Sequence, residues 1–181
     1  MMVEANTILQ FWFEEITPKD WWRKSADFDA DIRQRFEPVL LAARRGELNH
    51  WCESAAGCLA LIIVLDQFSR NIYRDQTEAF AADGQALAVA QSAVARGFDQ
   101  RLVNAQRHFL YMPYMHSEDA SIHVEAVKLF ASLDGDNPED FELRHKAIID
   151  RFGRYPHRNK ILGRPSTAEE LAFLQEPGSA F

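Results

Sequence analysis

The stretch from residue 55 to residue 71 constrains the fold most, because it has helical spacing with hardly any polar face. Its first half is apolar nearly all round. A helix of that kind is buried, since every side of it needs an apolar neighbour. The apolar run at 58–65 is far too short to span a bilayer. The stretch therefore predicts a central core helix that other elements surround.

Helix signals recur along the rest of the chain, whereas strand signals are nearly absent. Apolar residues keep helical spacing in further segments, separated by capping and turn residues. The predicted segments are 8–13, 28–43, 55–71, 77–97, 102–112, 117–133, 139–152 and a short last helix opened by a capping box at 166–169. About eight helices joined by short turns predict one all-α domain over residues 1–181, packed as antiparallel hairpins.

Several boundaries in this scheme depend on single residues. Pro38 should kink the second helix or start a new one there. Thr77 should cap the helix that runs to Gly97, and Pro113 should end its helix at residue 112. Ser117 should start the next helix, and residues 134–138 should form a turn.

Composition excludes several classes of function. The formal net charge of −7 argues against nucleic-acid binding, which depends on neutralising phosphates. Cys52 and Cys58 match no metal or redox spacing and predict reduced thiols of a cytoplasmic protein. The sequence lacks a leader pattern, a nucleophile elbow, a phosphate loop and a dinucleotide fingerprint. We therefore expect no cofactor, no metal, no nucleic-acid partner and no membrane segment.

A cationic loop stands out against this acidic background. Residues 151–164 hold four arginines, a lysine and a histidine with no acid among them. Gly153, Pro156 and Gly163 make the segment a loop between helices rather than a charged helix face. Its guanidinium groups must either clamp carboxylates of the protein itself or bind an anion from outside. That choice is the functional question that the sequence poses.

Other polar residues occupy positions where apolar ones are expected. Asp66 and Arg70 are four residues apart near the end of the core helix, so they share a face and can pair. Asp83 lies on an apolar face, where a carboxylate is costly unless a cation meets it. His145 falls on an apolar face in the same way.

These residues predict one shared centre with three possible roles. In that centre Asp66, Asp83, Glu118 and Asp119 face Arg70, Arg154 and Arg158, with Asn71, His116, His145 and His157 as neutral spacers. It is either a structural ion-pair network, an anion or peptide-carboxylate site, or a metal site. The metal alternative would use His116, Asp119 and His123, but no metal signature accompanies them.

Six segments of the chain resemble the family filed as domain of unknown function 924. They are residues 8–13, 59–74, 79–83, 112–119, 152–159 and 162–170, in order along nearly the whole chain. The resemblance implies an all-helical fold similar to tetratricopeptide-like right-handed superhelices, and it supplies no function. The polar positions shared with the family match Asp66, Arg70, Asn71, Asp83, His116, Glu118, Asp119, Arg154, His157, Arg158 and Asn159.

The leading functional hypothesis is a binding protein for an anionic small molecule or a peptide carboxylate. The candidate ligand-binding residues are Arg70, Asn71, His116, Glu118, Asp119, Arg154, His157, Arg158 and Asn159, with Asp66, Asp83 and His145 as structural support. A hydrolase is the rival, with Glu118 or Asp119 as general base and His116 or His157 as general acid. A protein-interaction scaffold is the third alternative, with Trp21 and Trp22 at the interface. The oligomeric state is left open.

Overall fold

The computed structural model describes residues 3–135 and 137–180, and within them the chain forms helices and no strand. The α-helices are α1 (Ala5–Gln10), α2 (Ala26–Arg44), α3 (Ala55–Ile62), α4 (Ser69–Ile72), α5 (Asp83–Ala95), α6 (Asn104–Met115), α7 (Ala120–Ala131), α8 (Glu139–Phe152) and α9 (Ala168–Phe173). A π-helical turn, Ile63–Phe68, joins α3 and α4 into one continuous helix. The predicted all-α class is confirmed.

The continuous helix Ala55–Ile72 is the centre of the fold. Residues 57–69 are all buried, because α1, α2, α5 and α6 pack around them. By length and composition alone this helix could cross a membrane, but 78% of it is buried inside the protein. It is therefore a core helix, as its apolar pattern predicts.

The π-helical turn places a polar pair inside this apolar helix. Asp66 and Gln67 lie in the widened turn, and both are buried. Widened turns of this kind are rare and occur often at functional sites. The turn brings the Asp66 carboxylate to the side of the helix that faces α5 and α6.

Several predicted helix boundaries are wrong, and packing gives the reason. Pro38 lies inside α2, so no new helix starts there, and the alternative of a kink at Pro38 stays a prediction. Pro113 lies inside α6, which runs on to Met115. Residues 109–115 are buried in the core, so their packing outweighs the hydrogen bond that Pro113 cannot make. Thr77 begins a short 3₁₀ turn instead of capping α5.

The later boundaries follow the predicted scheme more closely. The segment Glu139–Phe152 forms α8 with the predicted bounds. Asp119, not Ser117, caps α7, and the last capping box joins Thr167 and Glu170, one residue later than predicted. The predicted turn at 134–138 includes Asp136, which lies outside the described residues.

Successive helices pack against each other in the second half of the chain. The contacting pairs are α5 with α6, α6 with α7, and α7 with α8. The handedness of the predicted superhelix stays a prediction. A small second core, formed by Ile148, Ile149 and Tyr155, joins α8 to the cationic loop. The Tyr155 hydroxyl donates to the carbonyl of Met115 at 2.5 Å, which fixes the loop to the end of α6.

Gly57 provides a test of how closely the core helix is packed. A Cβ at this position would overlap the carbonyl oxygen of Trp51, so we expect Gly57→Ala to lower the free energy of unfolding by about 1–3 kcal/mol. The matched control is Gly84→Ala in α5, where an added Cβ meets no atom within 4 Å. It should raise stability by about 0.5–1 kcal/mol. Urea unfolding of both variants checks this, and equal stabilities would contradict it.

Candidate functional site

Three of the four arginines in the cationic loop clamp carboxylates of the protein itself. Arg154 binds Glu170 through two hydrogen bonds of 2.7 and 2.9 Å, and Arg164 binds Glu118 in the same way at 2.7 and 2.9 Å. Arg151 reaches the exposed Glu169 at 2.8 Å. These arginines therefore position the loop against α9 and the segment before α7.

Arg158 differs from them, because most of its donors are unused. Its Nη2 donates to the carbonyl of His116 at 3.0 Å, and its Nη1 lies 3.6 Å from the Asp83 carboxylate, beyond hydrogen-bond distance. Its Nε is buried and has no acceptor among the residues that the structure describes. The guanidinium lies between the rings of Phe80 and Tyr155, 4.7 Å from each centroid. The group is thus held rigidly by stacking while keeping hydrogen-bonding capacity.

Burial and the nearby Arg70 charge lower the pKa of Arg158 from its ordinary value. The guanidinium nevertheless stays protonated at neutral pH, because its ordinary pKa exceeds 12. Its side chain is only 7% exposed. An anion that reached it would therefore meet a charged donor in a poorly hydrated environment, where such hydrogen bonds are stronger than in water.

Asp66 and Asp83 hold the second arginine of the site. Arg70 donates to the Asp66 carboxylate at 3.0 Å and binds both oxygens of Asp83 at 2.8 and 3.0 Å. Burial raises the pKa of Asp66, but Arg70 and His116 outweigh this effect and hold that pKa well below its usual range. The predicted pairing of Asp66 with Arg70 is confirmed, and Asp83 meets the cations that its apolar position requires.

His116 completes a group of five side chains with Asp66, Arg70, Asp83 and Arg158. Its Nδ1 lies 2.7 Å from Asp66 Oδ1, and because an ionised carboxylate only accepts, Nδ1 carries the proton. Burial lowers the pKa of His116, Arg70 lowers it further, and Asp66 raises it; the net direction is down. A neutral ring with its proton on Nδ1 leaves a lone pair on Nε2.

Part of this group forms the wall of a surface pocket of about 390 Å³. The polar lining includes Asp83, His116, Glu118 and Arg158, and the apolar lining includes Phe80, Leu87, Pro113 and Leu162. Two guanidinium groups, those of Arg70 and Arg158, face two carboxylates, those of Asp66 and Asp83, so the charges of this ion-pair network balance. The arginines thus provide unused hydrogen-bond donors rather than excess positive charge.

The predicted single centre is wrong for three residues. Asn71 donates to Asp29 at 2.8 Å, on the far side of the core helix beside Arg74. Arg154 is committed to Glu170, and Asp119 caps α7 by accepting from the Ser121 backbone at 2.8 Å. Each of these side chains has a hydrogen-bond partner outside the predicted centre: Asp29, Glu170 and the Ser121 backbone, respectively.

Of the remaining predicted residues, the described pocket lining includes Glu118 and none of Asn159, His145 and His157. Glu118 lines the pocket but is held by Arg164 and by the backbone N–H of Tyr155 at 2.8 Å. Asn159 is buried, and its Oδ1 accepts from Arg164 Nε at 2.9 Å. His145 and His157 lie beside the Tyr155 ring, at 5.8 and 5.7 Å between centroids.

The sequence reasoning missed a fully buried pair between α7 and α8. His123 Nδ1 lies 2.6 Å from Glu142 Oε1, and its Nε2 lies 2.8 Å from the carbonyl of Ser117. Glu142 shares the buried face of α8 with His145 and Ile148, at spacings of three residues, so the signal was present. Phe141, the neighbour of Glu142 in α8, is by contrast 59% exposed.

The metal alternative finds no support in the geometry. Both ring nitrogens of His123 already contact protein atoms, and Asp119 caps a helix. Among residues 3–135 and 137–180, no group of three or more His, Cys, Asp or Glu side chains could hold a metal ion.

The two tryptophans suggested as an interface differ in exposure. Trp22 is 58% exposed and stacks on Phe109, with 5.9 Å between centroids. Trp21 is partly buried instead, and its Nε1 donates to the carbonyl of Trp12 at 2.8 Å. Trp21 is therefore part of the packing, and the interface stays a prediction.

Comparison with known proteins identifies the family. A family model described as bacterial protein of unknown function (DUF924) matches residues 8–178, and the chain belongs to this family. A solved structure of ATU0120, a protein of unknown function from Agrobacterium tumefaciens, is 39% identical, with a TM-score of 0.90. The alignment covers 94% of this chain and 96% of that one. No curated protein matches the chain.

Three buried or half-buried histidines give stability a defined pH dependence. Burial lowers the pKa of His108 to about 4, of His145 to about 3 and of His157 to about 4. The unfolded chain, with pKa values near 6.5, then binds more protons than the folded one between pH 6.5 and 4. The stability contributed by the neutral rings is therefore full above pH 6.5 and is lost as pH falls through this window.

We expect His108→Leu to remove part of this dependence, because His108 contacts aromatic rings and Leu keeps apolar packing. The loss of unfolding free energy between pH 7.5 and 5.0 should shrink by about 2 kcal/mol relative to wild type. The exposed His50 gives the control, and His50→Gln should leave the loss unchanged. Urea unfolding at both pH values measures it. An unchanged loss in His108→Leu would contradict the assignment.

Proposed function

We propose that this member of the DUF924 family binds a small organic carboxylate in the pocket beside Arg158. The observation that carries the proposal is the Arg158 guanidinium, which lies in the pocket wall with a buried Nε that has no acceptor in the described part of the chain. A buried donor without a partner costs free energy, roughly 1–3 kcal/mol. Protein atoms enclose Nε, so a carboxylate in the pocket would accept from Nη1, which is accessible and has no acceptor within hydrogen-bond distance among the described residues.

The charges at the pocket favour a monoanion over a dianion. Arg158 offers one positive charge, and Asp83 and Glu118 line the same pocket. A phosphate monoester has a charge near −2 at neutral pH, and the single guanidinium in the pocket wall could match only one of those charges. A carboxylate carries a single charge and matches the planar guanidinium through two parallel hydrogen bonds.

The apolar lining describes the rest of the ligand. Phe80, Leu87 and Leu162 flank the polar wall. A volume of about 390 Å³ lies near the lower end of small-molecule sites. A metabolite-sized acid with an apolar body fits both properties.

The surrounding network keeps the donor in place for binding. Asp83 is bound by Arg70 through two hydrogen bonds, so it is already paired and need not be displaced by the ligand. The rings of Phe80 and Tyr155 restrict the Arg158 side chain on both faces. A donor that is ordered before binding loses little entropy on binding.

The test is isothermal titration of the protein with butyrate, benzoate, an N-acetylated dipeptide and inorganic phosphate. We expect the two small carboxylates to bind in preference to phosphate, and the dipeptide distinguishes a peptide terminus from a free acid. Arg158→Lys keeps the charge but lacks the planar pair of donors, so affinity should fall about tenfold or more. Arg151→Lys, which alters an exposed clamp to Glu169, is the matched control and should bind as wild type.

A second variant separates binding from folding. Gly84 lines the pocket, and a Cβ there meets no atom within 4 Å, so Gly84→Leu should occupy the pocket without disturbing the ion-pair network. Its melting temperature should be at least that of wild type while carboxylate binding is lost. Binding that persists in both Arg158→Lys and Gly84→Leu, or no carboxylate binding by the wild type, would contradict the proposal.

A further inference from the structure

We propose that the pocket is also catalytic, with His116 as the general base for hydrolysis of a small carboxylic ester. The inference rests on the proposed carboxylate site, because the acid that this site binds would be the product of the reaction. Two features carry it: the contact between Asp66 and His116, and the position of both His116 and Arg158 in the wall of one pocket.

Asp66 is a positioning residue for His116. Its carboxylate is buried, with Oδ1 2.7 Å from His116 Nδ1 and Oδ2 accepting from Gln67 at 2.6 Å. A carboxylate held on Nδ1 fixes both the tautomer and the orientation of an imidazole. The structure therefore directs the proton-bearing edge of the ring towards the core helix.

The opposite edge of His116 is available for chemistry. His116 lines the pocket, its side chain is 13% exposed and its Nδ1 edge faces the buried Asp66, so we assign the accessible edge to Nε2. Nε2 makes no hydrogen bond to the described residues, unlike both nitrogens of His123. Because burial and Arg70 lower the pKa of His116, the ring is neutral at pH 7 and can accept a proton.

Arg158 supplies the second element that ester hydrolysis needs. Its Nη2 donates to the backbone carbonyl of His116, so the guanidinium is held next to the residue that carries the imidazole. A fixed donor beside the reacting carbonyl stabilises the oxyanion that develops in the transition state. The donors that would bind the product carboxylate can bind this oxyanion, since both are oxygens of the same acyl group.

The reaction balances with water as the co-reactant. His116 Nε2 takes a proton from a water molecule as the water oxygen bonds to the acyl carbon, and the carbonyl electron pair moves to oxygen beside Arg158. When that pair returns, the carbon–oxygen bond to the alcohol breaks, and the alcohol oxygen takes the proton from Nε2. An ester and water give an alcohol and a carboxylic acid, which ionises and releases a proton to solvent.

The experiment measures hydrolysis of p-nitrophenyl butyrate by wild type and variants. His116→Gln should lower kcat/KM by about 10²–10⁴-fold, the usual loss for a missing general base. Arg158→Lys should lower it by about 10²-fold through loss of oxyanion stabilisation. Gly84→Leu should abolish turnover while the protein stays folded, and His50→Gln, far from the pocket in sequence and exposed, should have wild-type activity.

The pH profile distinguishes positioning by Asp66 from a purely structural role. In wild type kcat/KM should rise with pH as His116 loses its proton. Asp66 raises the pKa of His116, so Asp66→Asn should move this rise to lower pH and reduce the plateau. The groups whose charges act on His116 or are affected by it are Asp66, Arg70, Asp83, His108, His145 and His157.

The outcomes separate this inference from the binding proposal. Turnover that survives in His116→Gln or Gly84→Leu overturns the catalytic inference. Butyrate binding that depends on Arg158, with no turnover of the ester, also overturns it and leaves the binding proposal intact. Absence of both binding and turnover in the wild type overturns the two together. Turnover lost in His116→Gln, with butyrate as a competitive inhibitor, supports both.

Discussion

The structure depends on a negative charge inside an apolar helix. Asp66 lies in the π-helical turn of the core helix and is fully buried, so its carboxylate needs partners close by. Arg70 and His116 provide them at 3.0 and 2.7 Å. Arg70 in turn binds Asp83 in α5, and His116 ends α6, so one carboxylate connects three elements of the fold. The pocket lies where these elements meet.

This network explains why the cationic loop has two kinds of arginine. Arg154 and Arg164 each donate from two guanidinium nitrogens to one carboxylate, and they act as clamps. Arg158 instead approaches Asp83, which Arg70 has already bound through both oxygens. Both Asp83 oxygens are therefore occupied by Arg70. The unused donors of Arg158 follow from this competition for one carboxylate, with no excess of positive charge at the site.

The sequence could predict pairings along one helix better than pairings across the fold. Asp66 and Arg70 were paired correctly because a spacing of four residues places both side chains on one helix face. The partner of Arg154 was not predictable in this way, since Glu170 approaches it only when α9 folds back over the loop. Asn71 was misplaced for a related reason. The widened turn alters which side of the helix each later residue occupies, and Asn71 meets Asp29 of α2.

The most direct test of the central claim is an NMR titration that follows the arginine Nε–H signals as benzoate is added. Arg151, Arg154 and Arg164 donate their Nε–H groups to Glu169, Glu170 and Asn159, so they act as internal controls. The account predicts that the Arg158 signal moves and saturates while these three stay in place. A stationary Arg158 signal, or equal movement of all four, would contradict the claim that Arg158 holds the open donors of a carboxylate site.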